Sequence, residues 1–298
     1  MLKVEHVTKY YGEYPAVIDE SFTVEPGEIF GLLGVNGAGK TTTFRMILGL
    51  LDKTEGSITL DGKEIDYDVT DKIGFLAEER SLLLKLTVYE QALFYGRLKG
   101  MSNTKIEEKL DYYLKRFNIE EYKNRKIKEL SKGNQQKIQF ITALLNDPKL
   151  LILDEPFSGL DPVNIELFKS VILELKEKGT MIIFSTHRME HAEMFCEKLL
   201  ILVKGKTVLE GKLKDIKKEY RKKNIRIDAK FDSKKVKELK GVISVEKENS
   251  EYIVKVEKDD IIDKVFNIVS KGENVTKFLV EEPTLHEIFI EKVGEFYE

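Results

Sequence analysis

At 298 residues, 42% hydrophobic and 34% charged, the chain has the make-up of an ordinary globular protein with room for one large domain and a small one. A formal net charge of −3 argues against a protein whose main work is wrapping nucleic acid, because such domains carry a large basic excess. The single cysteine, Cys196, excludes an intrachain disulfide and a multi-cysteine zinc site, and reads as a small buried apolar residue.

The first residues, Met1-Leu2-Lys3-Val4-Glu5-His6, carry no apolar core of signal-peptide length. No run of about 18 apolar residues offers a transmembrane helix, so any membrane role is expected to come through a partner. Residues 1–25 read as short strands, with Leu2, Val4 and Val7 in the first and Phe22-Thr23-Val24 in the second, closed by Pro26-Gly27. Residues 57–65 alternate around Asp61-Gly62, a dipeptide suited to the positive φ angles of a tight hairpin. An apolar strand at 28–34 then runs into a glycine-rich loop and a helix over 41–51. Residues 82–147 form a helical insert, with helical periodicity at 87–99 and 104–117 and a capping box expected from Thr104 and Glu107. Two further apolar strands follow at 149–153 and 180–185, separated by a helix opened by Asp161-Pro162. Strands alternating with helices imply a mostly parallel, covered sheet. Residues 204–223 are rich in Lys and Arg and read as a solvated connector, with contact to anionic headgroups or nucleic acid as the other reading. From residue 225 the pattern suggests β-α-β-β-α-β, the ferredoxin-like order, and a last helix with Leu285, Ile288, Phe289 and Val293 on one face.

Gly34-Val35-Asn36-Gly37-Ala38-Gly39-Lys40-Thr41 matches G-x-x-x-x-G-K-[ST]. The glycines let successive backbone N–H groups turn inward to cradle phosphate oxygens, and the helix that starts there points its positive end at the same anion. Lys40 can reach the β- and γ-phosphates and the Thr41 hydroxyl can ligate Mg²⁺. The strand Leu150-Leu151-Ile152-Leu153 delivers Asp154 and Glu155 at its C-terminal end, where open α/β sheets bind ligands. Asp154 is suited to the Mg²⁺ shell, and Glu155 to orienting or deprotonating an attacking water.

Further peptides carry a family resemblance. Leu130-Ser131-Lys132-Gly133-Asn134-Gln135-Gln136-Lys137 resembles the signature peptide of ABC ATPases, Ser158-Gly159-Leu160-Asp161 their D-loop, and Ser185-Thr186-His187 their switch histidine. Tyr11, before Gly12, resembles the aromatic that stacks on adenine, with Tyr10 beside it as the alternative. The order of these peptides is similar to that of the ABC nucleotide-binding domain over residues 1–220, and residues 224–298 resemble the accessory domain of prokaryotic sodium- or drug-export ATP-binding subunits. The tail Glu281-Glu282-Pro283-Thr284-Leu285-His286-Glu287-Ile288-Phe289 is the most recognisable piece of that second match.

The resemblance implies an α/β P-loop ABC ATPase domain, with a mainly parallel sheet, an antiparallel edge and a helical insert, followed by a small α+β ferredoxin-like domain. It implies ATP and Mg²⁺ as cofactors, with Gly34, Asn36, Gly37, Ala38, Gly39, Lys40, Thr41 and Thr42 around the phosphates, Tyr11 at the base, and Ser131 and Gly133 serving nucleotide from the signature helix. Catalysis falls to Glu155, His187 and Lys40, and the metal to Thr41, Asp154 and Glu78. Two of the peptides depart from the family pattern. Lys132 and Asn134 stand in the signature where Gly and Gln are common, and Glu78 stands where the family places a glutamine. A carboxylate can still ligate Mg²⁺, but it changes the local charge.

The implied partners are an integral membrane permease and a second ATP-binding subunit, with no nucleic acid expected. The implied location is cytoplasmic, peripheral on the inner face of the membrane. A non-transport ABC ATPase acting on ribosome or DNA, and an ATP-gated module with little hydrolysis, are the alternatives.

Overall fold

The computed structural model describes residues 1–79, 81–220 and 222–297, and for Tyr67, Asp68 and Tyr297 the backbone alone. Arg80 and Arg221, the latter within the 204–223 stretch, lie outside the described residues, as does Glu298. The chain divides into two compact units, residues 1–210 and 211–298.

The first unit opens with a long hairpin, β1 (Leu2–Tyr11) and β2 (Tyr14–Val24), turned at Gly12 with φ +60°. The two strands are far longer than the short pair expected. Left-handed residues at His6 (φ 51°) and Asp19 (φ 50°) break the register, so the alternation visible in the sequence is interrupted while the pairing continues. Then come β3 (Ile29–Gly34), α1 (Lys40–Ile47), and β4 (Glu55–Leu60) with β5 (Lys63–Glu64) around Asp61-Gly62, both at positive φ. After α2 (Tyr67–Thr70) and β6 (Ile73–Leu76), the helical insert supplies α3 (Val88–Leu98), α4 (Asn103–Arg116) and α5 (Lys132–Leu144). The unit ends with β7 (Leu150–Asp154), α6 (Pro162–Glu177), β8 (Met181–Ser185), α7 (Met189–Phe195), β9 (Lys198–Val203) and β10 (Lys206–Lys212), the last running over the unit boundary.

Two sheets result, an antiparallel one in the order β2-β1-β4-β5 and a larger one in the order β10-β9-β3-β8-β7-β6. Strands β9, β3, β8, β7 and β6 run parallel, and β3, β7 and β8 are buried at every residue, as strands covered on both faces must be. One apolar cluster takes in both sheets and α1, with Val4, Val7 and Phe22 of the antiparallel sheet, Phe44 and Ile47 of α1, and Leu32, Ile152 and Ile183 of the larger sheet. A second contact set, Phe117, Phe140 and Phe168 with Phe140 and Phe168 stacked at 4.7 Å, ties the helical insert to α6. Asp161 caps α6 by accepting from the Asn164 amide at 2.9 Å, and Pro162 occupies its first turn.

The capping box expected at Thr104 and Glu107 is not formed. Ser102 caps α4 instead, so Thr104 already lies inside the first turn. The box lies one helix earlier, where Thr87 and Glu90 exchange hydrogen bonds at the start of α3 (2.8 and 3.1 Å).

The second unit holds α8 (Leu213–Glu219), β11 (Lys223–Lys230), α9 (Ser233–Lys237), β12 (Val242–Glu248), β13 (Glu251–Val256), α10 (Ile262–Val269), β14 (Glu273–Glu281) and α11 (Leu285–Tyr297). Residues 206–219 of the basic stretch are therefore built into β10 and α8, with Ile216 buried, rather than left as a connector. The antiparallel order β12-β13-β11-β14 is that of the ferredoxin-like split βαβ arrangement. Its own core of Ile225, Ile227, Val236, Val254, Val256, Ile261, Val265 and Val269 lies between the sheet and α9 and α10. Leu285 and Ile288 of α11 are fully buried and Phe289 nearly so.

Candidate functional site

The loop 34–39 leaves the C-terminal end of β3 and enters α1 with Gly39 as its first flanking residue at φ +118°. A Cβ at Gly39 would lie 2.7 Å from the Ala16 carbonyl oxygen, so this turn tolerates only glycine. Gly37, at φ +77°, faces open space where a Cβ would stand. No side chain caps α1, so its first amides are available to an anion. The Lys40 ammonium lies within the loop and donates to the carbonyl oxygens of Gly34 (2.8 Å) and Val35 (3.3 Å). Burial pushes it below its usual range, against the opposing charges of Asp154, Glu155 and Glu78.

A cavity of about 430 Å³ lies over this loop. Residues 36–42, Tyr11, Glu78, Asp154 and Glu155 line it, together with Tyr14 and Ala16. Gly34 is not among the lining residues; its carbonyl accepts from Lys40. Tyr10 is not among the lining residues; its amide instead donates to Thr54 Oγ1 at the other side of the hairpin.

The two carboxylates after β7 are held differently. Asp154 accepts a short hydrogen bond from the Ser185 hydroxyl at the end of β8. Burial pushes its carboxyl above the usual carboxylate range and the nearby Glu78 charge adds to this, while Ser185 and Lys40 pull it back. Glu155 adopts φ +50°, a strained backbone for a residue with a Cβ. That turn brings its carboxylate to the end of β8, where Oε1 accepts from the His187 amide (2.6 Å) and meets His187 Nδ1 (2.7 Å). Thr186 Oγ1 donates to Oε2 at 3.2 Å. Glu155 is buried whereas the His187 side chain is 64% exposed, so the imidazole bridges the carboxylate and the surface.

Ser131 and Gly133 stand apart from the cavity. Ser131 caps α5 by accepting from the Asn134 amide at 3.3 Å. A Cβ at Gly133 would come within 3.8 Å of Leu160, so the signature turn abuts the 158–161 turn. The same helix holds the loops around two cavity residues. Gln139 Nε2 donates to the carbonyls on both sides of Glu78, Ala77 (3.0 Å) and Glu79 (3.4 Å), and Gln136 Nε2 donates to Pro156 O (3.1 Å), next to Glu155.

Tyr14 and Ala16 line the cavity outside every motif, and Ser185 and Thr186, quoted only as the peptide leading to His187, bond Asp154 and Glu155. Tyr14 pairs directly with Tyr11 across the hairpin, and recognising Gly12 as the turn of one long hairpin would have found it.

Comparison with known proteins finds relatives of both units. The ABC transporter family model matches residues 18–158, and the model for the C-terminal domain of DrrA1-3-like ATP-binding proteins matches residues 211–293. An uncharacterized ABC transporter ATP-binding protein of Bacillus subtilis, YhaQ, is 50% identical over the full length of both chains. The chain belongs to the ABC transporter family. It is an ATP-binding subunit of that family, whose members bind ATP and hydrolyse it. The B. subtilis ABC transporter ATP-binding protein NatA is 36% identical over 70% of this chain and 87% of its own length. A solved ATP-binding subunit of an ABC transporter superposes with a TM-score of 0.70 at 33% identity, covering 74% of this chain and 93% of that one. An ATP-binding cassette solved as a dimer in a post-hydrolysis state with ADP and Pi superposes at 0.65 and 29% identity, over 72% of this chain and 99% of that one. No helix among the described residues of the subunit is long and apolar enough to cross a membrane.

Proposed function

We propose that this subunit binds ATP with Mg²⁺ in the cavity over the 34–42 loop, hydrolyses it, and thereby drives a separate membrane permease that exports an ion, drug or peptide. The observation that carries the reading is the convergence of an amide cradle, a half-buried lysine, three carboxylates and two exposed tyrosines on one cavity. The cavity suits an anion, since Gly37 leaves open the space a side chain would fill and α1 begins there uncapped. Hard oxygen donors from Thr41, Asp154 and Glu78 suit Mg²⁺, which such sites hold through one or two carboxylates together with phosphate oxygens. When bound, the ion would neutralise charge developing on the transferred phosphoryl group.

In this reading the amides of 36–42 and Lys40 hold the phosphates, with Thr42 at the start of α1, and Tyr11 stacks on the base. Glu155 positions or deprotonates the attacking water, and His187 orients Glu155 and senses the terminal phosphate. Ser131 and Gly133 lie outside the cavity, which supports their service to nucleotide held by a second ATP-binding subunit. Export follows the relatives named for it, among them the Nod factor export ATP-binding protein I of Rhizobium johnstonii, 41% identical over 69% of this chain and 67% of its own length. The ATP-binding domain would extend over residues 1–220, with its helical insert at 82–147. Residues 224–298 would serve dimerisation or partner docking, and the whole would sit on the cytoplasmic face of the membrane through its permease.

Two measurements test this. The Glu155→Gln variant should lose at least about 10²-fold in turnover while still binding ATP; undiminished turnover removes Glu155 from its role. The tagged chain, purified in gentle detergent, should bring a polytopic membrane protein with it, and ribosomal or DNA-processing proteins instead would assign it to another machine.

A further inference from the structure

Strand β2 carries a charged residue on its core face. The left-handed turn at Asp19 shifts the alternation so that Glu20, Phe22 and Val24 all point inward. Glu20 is fully buried opposite Val7 of β1, and its Oε2 accepts a 2.6 Å hydrogen bond from Thr43 Oγ1 of α1, itself fully buried. Its other oxygen, Oε1, has no hydrogen-bond partner among the described residues. Thr43 stands in the first turn of the helix that begins at Lys40, and its amide donates to Gly39 O at 3.0 Å. The Glu20–Thr43 contact thus ties β2 to the start of the phosphate-loop helix inside an apolar core.

A carboxylate there would be buried with one hydrogen bond and one bare oxygen, whereas the neutral acid is tolerated. Burial pushes the Glu20 carboxyl up to about 7, and the Thr43 hydroxyl opposes this. The charged groups on the packed elements are engaged elsewhere. On β1, Lys3 lies opposite Thr23, Glu5 is exposed, His6 pairs with Asp19 at the surface (2.7 Å) and Lys9 donates to Asp52 O (2.6 Å), and on β9 Lys198 donates to Thr23 Oγ1 and pairs with Glu210. On α1, Lys40 bonds the loop carbonyls and Arg45 is exposed. Strand β8, Met181–Ser185, carries no titratable side chain.

We propose that Glu20, as the neutral acid, positions the first turn of the phosphate-loop helix, and that its ionisation weakens nucleotide binding. The inference rests on nucleotide binding in the cavity described above. Ionisation acts in two ways with the same sign. The carboxylate must draw water into the apolar core beside Thr43, which disturbs the packing of the first turn, and a negative charge behind the N-terminus of α1 offsets the positive end that faces the phosphates. A carboxyl raised above its usual range is held neutral below that pH, so binding is strongest on the acid side and falls as pH rises through about 7.

The test is equilibrium binding of ATP with MgCl₂ to the full chain between about pH 6 and pH 8.5, by titration calorimetry in buffers of different ionisation enthalpy. The wild-type affinity should fall at least about threefold more over that range than that of Glu20→Gln, which keeps an acceptor for Thr43 but cannot ionise. Wild type should also take up protons on binding near neutral pH, and Glu20→Gln should lose that uptake. Thr43→Val removes the hydroxyl that favours the carboxylate, so the fall should move to higher pH; this variant keeps the proposal testable if Glu20→Gln folds poorly. Identical pH profiles for wild type and Glu20→Gln, or an unmoved midpoint in Thr43→Val, overturn the proposal alone. Absence of ATP binding at every pH overturns the nucleotide-site reading and this inference with it.

Discussion

Glu155 and Tyr14 show how much of a binding site depends on contacts remote in sequence. Glu155 sits in a left-handed conformation, and its carboxylate is received 32 residues later by the amide and ring of His187. Tyr14 faces the same cavity as Tyr11, and as its direct cross-strand partner it widens the aromatic surface available to a base. Base–aromatic stacking contributes about 1–3 kcal/mol per contact. Tyr14→Ala should therefore weaken ATP binding by about 5–150-fold, Tyr14→Phe should leave it nearly unchanged, and Tyr10→Ala should have no effect, as fluorescence titration with ATP would reveal. Equal losses from Tyr10→Ala and Tyr14→Ala would instead mean a general loosening of the hairpin. The phosphate-loop residues were legible because their chemistry demands fixed residue types at fixed spacing in one continuous stretch. Ser185 and Thr186 were not recognised as partners of Asp154 and Glu155, because each contact spans 31 residues between adjacent strands. Glu20 was not legible either. A glutamate on an alternating strand reads as solvent-facing until the shift at Asp19 turns it inward.

Local sequence rules placed most elements but could not choose between equivalent local signals. Thr87-x-x-Glu90 and Thr104-x-x-Glu107 are the same motif, and only the first forms a box, because Ser102 starts α4 two residues before Thr104. Helix caps are worth about 1 kcal/mol and the solvated interior of a first turn much less. Thr87→Ala should then lower the melting temperature of the unit by about 2–4 °C, while Thr104→Ala should move it by under about 1 °C. Thermal unfolding followed by circular dichroism would check this, and a reversed ranking would contradict the assignment of the caps. The basic stretch 204–223 failed as a connector for a related reason. Its apolar residues are few, but Ile216 is buried, and β10 completes the edge of the large sheet beside β9. Helix α5 was read for its signature turn alone. Its next turns carry Gln136 and Gln139, whose amides hold the backbone beside Glu155 and around Glu78, so the helix that bears Ser131 and Gly133 is wired to both loops of the cavity.

At the scale of the chain, each unit buries an apolar core of its own, one threaded by α1 between two sheets and the other packed on the four-stranded antiparallel sheet. The cavity over the 34–42 loop draws its lining entirely from the first unit. A ligand that binds only the folded form stabilises the unit that holds it, by about 2.7 kcal/mol at a hundredfold excess over its Kd. For a unit of this size that corresponds to a rise of about 5–10 °C in melting temperature. Scanning calorimetry of the full chain should accordingly resolve two transitions, of which ADP with MgCl₂ raises one by that amount and leaves the other within about 1 °C. The unmoved transition should disappear when residues 211–298 are removed. A single transition that shifts as a whole would mean that the two cores unfold as one cooperative body, and two transitions that both ignore ADP would place nucleotide outside the cavity over the 34–42 loop.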